Sequence, residues 1–423
     1  MDYSPPYGTP PVPIVMPPGT RNYSRYVNGN PVTGTEGSIP PNTAFDENQI
    51  EIIEVIQRAG LIPTHNDLTQ LWQALEALFS QKYITSPIVK HVHGAGADFP
   101  DLIQALMWVA QYVITQSGYV TFMVAPGKWT YTTSVELNHA NMNRIAIQGS
   151  ALVGAFPTPP DFSVGGYHNS GDGSNQIIML RSRYGTELSF TGGVSGFISR
   201  RGTATLRYLL VTGSQTGGHG LDAQDNCYLD GCAFWGFGGH GINIANCTVS
   251  SSGVPITCSY NGSCGINNSG GQFVAGNQNV WTNLVSNATC GLNNFGGFQW
   301  LGRVYIAGHG PPNGNAAIQS LQGGLVACNP GGWLQINYAG MIIAGAASIL
   351  FEGCTINNHP TYGCDVYGTG TVWLNNSYMY GNGQWDVVAS DGAFVDSTNT
   401  SMATAWTPPF NTYNTNGNAF MLH

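Results

Sequence analysis

The feature that most constrains this chain is a repeat. The segments HGLDAQDN, HGINIANC, CGINNSGG, CGLNNFGG and AAIQSLQGG begin at His219, His240, Cys264, Cys290 and Ala316, spaced 21, 24, 26 and 26 residues apart. In register, one column reads Leu221, Ile242, Ile266, Leu292, Ile318, and the next reads Asp222, Asn243, Asn267, Asn293, Gln319. YGCDVYGTG from Tyr362 and QWDVVASDG from Gln384 continue the series and add Asp365 and Asp386 to the polar column. A second strand per unit shows in CYLDGCAFWG, ILFEGCTINN and VWLNNSYMYG, where Leu229, Phe351 and Leu374 align. Apolar and polar residues alternate in both.

Repeats of about 20 to 30 residues, made of short alternating strands with Gly and Asn at the corners, are the sequence form of a β-solenoid. Each unit is one coil, and stacking at about 4.8 Å places like residue over like. Roughly ten coils between residues 145 and 395 would make a rod about 50 Å long. The stacking also accounts for the composition: only 8% of 423 residues are charged, where about 25% is usual. A repeated Asp or Lys would set like charges about 5 Å apart, whereas a repeated Asn bonds to its copies.

Other classes are excluded on the same grounds. A net charge of -9 leaves no basic face for nucleic acid or anionic membranes. The longest uncharged apolar stretch, Gly340 to Phe351, is a dozen residues, short of the roughly 20 that cross a bilayer. The N-terminal MDYSPPYGTPPVPIVMPP lacks a basic region before an apolar one, so it does not read as a secretory signal. Nine cysteines without CxxC spacing read as small buried hydrophobes rather than a disulfide framework or metal cluster. No Walker, Rossmann, GxSxG or HExxH motif occurs, and no cofactor is expected.

Along the chain, residues 1–45 read as an extended Pro/Gly/Asn-rich arm. Residues 46–90 read as a helical neck: one helix from Asp46 to Ala59, and a second to about Lys82 with Leu68, Leu71, Leu75 and Leu78 at 3-4-3 spacing. That seam suits either packing between several copies or a helical hairpin within one chain. Residues 91–150 read as a cap helix, Leu102 to Ile114, followed by the first strands in YVTFMVAPGKWTY and RIAIQG. Residues 151–397 form the solenoid and 398–423 a C-terminal tail.

The stretch from Asp98 to Gly149 followed by the ladder resembles the pectate-lyase-like right-handed parallel β-helix of bacteriophage tailspikes and tail fibres. The segment VNGNPVTGTEGSIPPNTAFDENQIEIIEVIQRAGLIPTHNDLTQLWQAL is similar to the N-terminal regions of phage and prophage tail-fibre proteins. The resemblance implies a single-stranded β-helix in a homotrimer on the virion tail, assembled in the host cytoplasm. It also implies an N-terminal region, residues 1–90, docked to a tail or baseplate protein, and a rod that touches host surface polysaccharide. It leaves open whether the rod only binds or also cleaves glycan as a hydrolase or lyase. A bacterial surface adhesin on the same fold is a third reading.

For cleavage, Asp365 and Asp386 stand in one column on successive coils, near the roughly 5–5.5 Å that a retaining glycosidase uses. Asp222, Asp225 and Asp230, with His219 and His240 beside them, form a second acid-base cluster. Glu187 and Glu352 are lone acids. For binding, Trp235, Trp300, Trp333, Trp373 and Tyr380 lie within the repeats beside many amides and offer stacking faces to sugar rings. His91 and His93 form an H-x-H that, facing one way on a strand, would present six imidazoles to a metal on a trimer axis.

Overall fold

The computed structural model describes residues 43–63, 69–79, 82–152, 173–251, 253–275, 280–308, 316–335, 339–403, 413–416 and 420–422. The arm, apart from its last residues, lies outside them, as do Leu68 and Asp67. Two compact units divide at Lys82 and Tyr83.

In the first unit, α1 (Thr43–Arg58) ends at Gly60, whose φ of 78° only a residue without a Cβ adopts freely. Helix α2 (Gln70–Phe79) buries Ala74 completely. The Gln70 side chain donates to the Ile62 carbonyl at 2.8 Å and ties the connection to the start of α2.

The second unit is a parallel β-helix. Apart from Tyr112–Ile114, which stands in a separate two-stranded sheet, its strands fall into three sheets, A with thirteen strands and B and C with eleven each, and from Tyr119–Val124 onward every third strand returns to the same sheet. The chain visits A, then B, then C in each coil. Sheet A begins at Pro87–Val92, sheet B at Gly127–Tyr131 and sheet C at Val135–Asn138. From Ile145–Gln148 to Phe394–Asp396 sheet A holds ten strands, so the expected coil number is met. Ser401–Ala403, Tyr413–Asn416 and Phe420–Leu422 then add one further strand to each sheet.

The sequence columns are real columns. Leu221 faces Ile242, Ile242 faces Ile266, Ile266 faces Leu292 and Leu292 faces Ile318, all fully buried in one continuous core. Burying each such side chain contributes about 1.5–3 kcal/mol, and the column continues through Phe197 on one side and Met341, Cys364 and Val387 on the other. At the N-terminal end α3 (Leu102–Val109) turns Leu102, Ala105 and Val109 onto that core. Asp101 caps it by accepting from the Gln104 amide at 2.8 Å. The helix stops five residues before Ile114, because Tyr112–Ile114 is a strand.

The turn from sheet C to sheet A explains why Gly and Asn recur. It needs one left-handed residue per coil, supplied by Asn246 (φ 54°), Gly270 (φ 72°) and Gly296 (φ 68°). The residue after it must be small for another reason. A Cβ on Gly297 would fall 2.3 Å from the Asn268 amide nitrogen. That amide belongs to an inward ladder: Asn268 donates to Asn294 at 3.0 Å and accepts from the Gly271 amide at 3.0 Å. Asn261 and Asn287 form a like pair at the turn from sheet B to sheet C, joined at 2.8 Å. These buried amides are thus paired along the axis.

A helix that the repeat does not announce, α4 (Gly173–Arg183), lies on the outward face of sheet B. Its Ile177 and Leu180 pack with Leu210 and Ala233 of that sheet.

Candidate functional site

Outward strand positions are where a solenoid meets its surroundings, so each predicted residue is placed on its face. In sheet A, Trp300 and Trp373 belong to one outward column, three coil steps apart through Ala327 and Leu350. Trp300 is 44% exposed and Trp373 half-buried. In sheet B, Trp235 and Tyr380 share one outward column, linked by Ser259, Val285, Ala307, Gln335 and Asn357. Trp333 stands in the neighbouring column, opposite Tyr305 and Thr355, and its side chain lies outside the described residues. All four described rings are therefore on outward positions, between inward residues such as Phe234, Met379 and Val372.

The carboxylates are more scattered than the sequence columns suggest. Asp222 and Asp365 do fall in one column of sheet C, through Asn243, Asn267, Asn293, Gln319 and Ile342. Asp386 does not. Asp365 faces Val388, which sets Asp386 two residues back along the next strand. The reason is the inside of the coil: Cys364 stacks on Val387 and Val366 on Ala389, whereas the sequence alignment would bring Trp385 into the Cys364 column. On the diagonal the two Cα atoms are about 8 Å apart, from spacings of ~4.8 and ~6.6 Å, so the in-column spacing expected of a retaining pair is lost. Burial raises both carboxyls above the ordinary aspartate range, and Asn382 partly offsets this at Asp386 by donating at 2.7 Å.

The second cluster is committed to structure. Asp222 Oδ1 accepts from Asn243 at 2.9 Å and Oδ2 from Gln224 at 2.9 Å. Asp225 receives the backbone amides of Gly202 and Asn226 at 2.8 and 2.7 Å. Asp230 sits opposite Arg207 on sheet A, and burial raises its carboxyl despite the Arg207 charge. His219 and His240 stack at 5.1 Å. Each ring uses Nδ1 to accept a backbone amide from the following coil, that of His240 at 3.0 Å and of Cys264 at 3.1 Å. Nδ1 is then unprotonated, so protonation would break a coil-to-coil bond. Burial, then the neighbouring imidazole, lowers the affinity of His219 for a proton, against the Asp222 charge.

Glu187 is not a lone acid. It takes two bonds from Arg181 at 2.7 and 2.8 Å, one from Thr212 at 3.1 Å, and lies 3.5 Å from Lys128. This clamp joins α4 to sheet B.

His91 and His93 are not a same-facing pair. The strand ends at Val92, and His93 has a left-handed φ of 61°. Its ring stacks on Trp129 at 4.3 Å and meets the Tyr131 hydroxyl at 2.6 Å, while the His91 amide donates to Asp98. Among the described residues no group of three or more His, Cys, Asp or Glu side chains is arranged to hold a metal ion.

No family model matches the chain, and no curated protein matches it. Similar solved structures include the A-module of mannuronan C-5 epimerase AlgE6 from Azotobacter vinelandii, 13% identical over 76% of this chain and 94% of that one, TM-score 0.46. Geobacillus virus E2 ORF18 is 12% identical over 90% and 66%, TM-score 0.45. Tailspike gp49 of Acinetobacter baumannii bacteriophage Fri1, a capsular polysaccharide depolymerase, is 9% identical over 85% and 64%, TM-score 0.28.

Proposed function

We propose that this chain is a tail fibre or tailspike of a phage or prophage, whose β-helix recognises host surface glycan. One observation carries the reading: the aromatic side chains Trp235, Trp300, Trp373 and Tyr380 occupy outward positions in repeated columns, Trp235 between Thr212 and Ser259 and Tyr380 beside Asn357. Sugar rings stack on such faces and hydrogen-bond to such groups. In this reading residues 1–90 dock to the tail, the Leu68, Leu71, Leu75, Leu78 seam joins three copies, and the protein is part of the virion. The resemblance of the N-terminal segment to tail-fibre proteins supports the docking role, and sedimentation as a monomer at micromolar concentration would remove the trimer.

The test of recognition is competition. Purified protein should adsorb to host cells and block phage attachment, and polysaccharide extracted from those cells should compete. Adsorption unaffected by that polysaccharide would reject the reading. A depolymerase on the same scaffold is the second reading, favoured by the raised carboxyls of Asp365 and Asp386. Clearing haloes on host lawns that vanish in Asp365→Ala or Asp386→Ala would establish cleavage in place of binding alone.

A further inference from the structure

The inward amide pairs Asn261–Asn287 and Asn268–Asn294 are bonded, whereas the outward face of sheet B holds a cluster of unmet groups. Trp235 Nε1, Ser259 Oγ and both amide atoms of Asn283 are buried without a hydrogen-bond partner. The three belong to successive coils: Ser259 faces Trp235, and Asn283 follows on the next strand, in register with Thr257 beside Ser259. Ser259 and Asn283 are wholly buried. Orphaned polar groups of this kind cost stability and are rare. Three neighbours on one face point to a partner that the described residues do not supply.

Aromatic rings surround the strip. Trp235 stacks on Tyr260 at 5.4 Å, and Tyr305 is the register partner of Asn283. The cover is α4, whose Met179 packs with Trp281 against Val285 and Tyr305 on either side of Asn283. The one carboxylate of the same column, Glu187, is neutralised by Arg181 and Lys128. Arg303 is turned over the Trp281 ring at 5.8 Å.

We propose that this strip is a binding site for a neutral, hydroxyl-rich ligand, a segment of uncharged glycan, and that α4 is its cover. An indole N–H donates, an amide both donates and accepts, and a serine does either. Vicinal hydroxyls, which each donate and accept, answer all of them, while ring faces take the C–H faces of the sugar. Ile177 and Leu180 seat the helix on the sheet and Arg181 ties it to Glu187, so entry of the ligand requires the helix to lift. The proposal deepens the glycan reading and rests on it.

The test uses the full chain on an array of neutral and uronate-containing bacterial oligosaccharides, with Asn283→Leu, Ser259→Ala and Trp300→Ala beside wild type. Asn283→Leu should melt above wild type, since an unpaired buried amide is removed, and should bind neutral glycans about tenfold or more weakly. Hydrogen exchange in Gly173–Arg183 should speed up when a bound glycan is added. A lower melting point for Asn283→Leu would show that ordered water alone serves the strip, and would overturn the site. Binding lost in Trp300→Ala but kept in Asn283→Leu and Ser259→Ala would move recognition to sheet A, overturning this inference while the glycan reading stands. Binding of uronate-containing glycans alone would overturn the ligand class. A wild type that binds none of the array sinks the glycan reading and this site with it.

Discussion

Asn243 donates its side-chain amide to Asp222 across the coil boundary, Nδ2 to Oδ1 at 2.9 Å. The same direction repeats above it, Asn267 to Asn243 at 2.9 Å and Asn293 to Asn267 at 2.7 Å. A polarised amide ladder must end on an acceptor, and Asp222 is that end. Substituting Asn keeps an acceptor oxygen, so Asp222→Asn should leave unfolding unchanged within about 0.5 kcal/mol. Asp222→Ala leaves the Asn243 amide unmet and should cost about 1–3 kcal/mol. Equal losses in the two variants, measured by denaturant midpoint, would show that the charge matters and that the ladder does not explain this residue.

Glu187 carries the clearest acid dependence. Burial pushes its carboxyl up, but the Arg181 bonds and charge, helped by Lys128 and Thr212, outweigh burial and hold it below the ordinary 4.5. A carboxyl with a depressed folded pKa contributes stability above its unfolded value, lost as pH falls through the folded one. Melting points should therefore drop below about pH 4.5, and Glu187→Gln should flatten that part of the curve while lowering stability at pH 7. An unchanged acid limb in the variant would contradict the clamp.

Asp386 should behave with the opposite sign. It is 6% exposed, and burial raises its carboxyl above the ordinary 3.8 despite the Asn382 bond. The folded state then binds a proton more readily than the unfolded one, so stability falls as pH rises from the unfolded pKa through the folded pKa. Asp386→Asn should be more stable than wild type at pH 7 and equal to it near pH 3. The comparison is a melting curve at both pH values, and a variant weaker at pH 7 would mean that the ionised form has a partner.

How far these features were legible depends on which side of the strand they occupy. The inward column from Leu221 to Ile318 could be read directly, because core residues repeat in kind and every coil repeats the same alternation. The Asp365 and Asp386 misalignment arose where that kind changes: Cys364 over Val387 does not look like Leu over Ile. Asn268 and Asn294 were visible as the second Asn of INNS and LNNF, but nothing local says that an amide will point inward; only the stack beneath it satisfies the bond. The α4 segment GSNQIIMLRSR breaks the repeat without a heptad or a cap motif, and its place on sheet B follows from apolar residues that the strand pattern gives to the outward face. The same is true of Glu187, whose partners come from residues 6 and 25 positions away.

The cysteines offer the last contrast. Burial pushes Cys227 and Cys232 up to about 12 and Cys247 to about 11, and holds Cys258, Cys328 and Cys364 well above the ordinary thiol value. Cys264 goes the other way: the Cys290 thiol donates to it, and this outweighs burial, with His240 adding to the effect. Only the thiolate reacts with alkylating reagents. Native protein treated with iodoacetamide at pH 7.5 should therefore label Cys264 first, read by peptide mass spectrometry, while all nine label after denaturation. Cys290→Val should slow that label, because the donated proton is gone and burial then raises the Cys264 thiol like the others. Labelling that begins at Cys227 or Cys232, or a rate at Cys264 unchanged by Cys290→Val, would show that access rather than thiolate character sets the order.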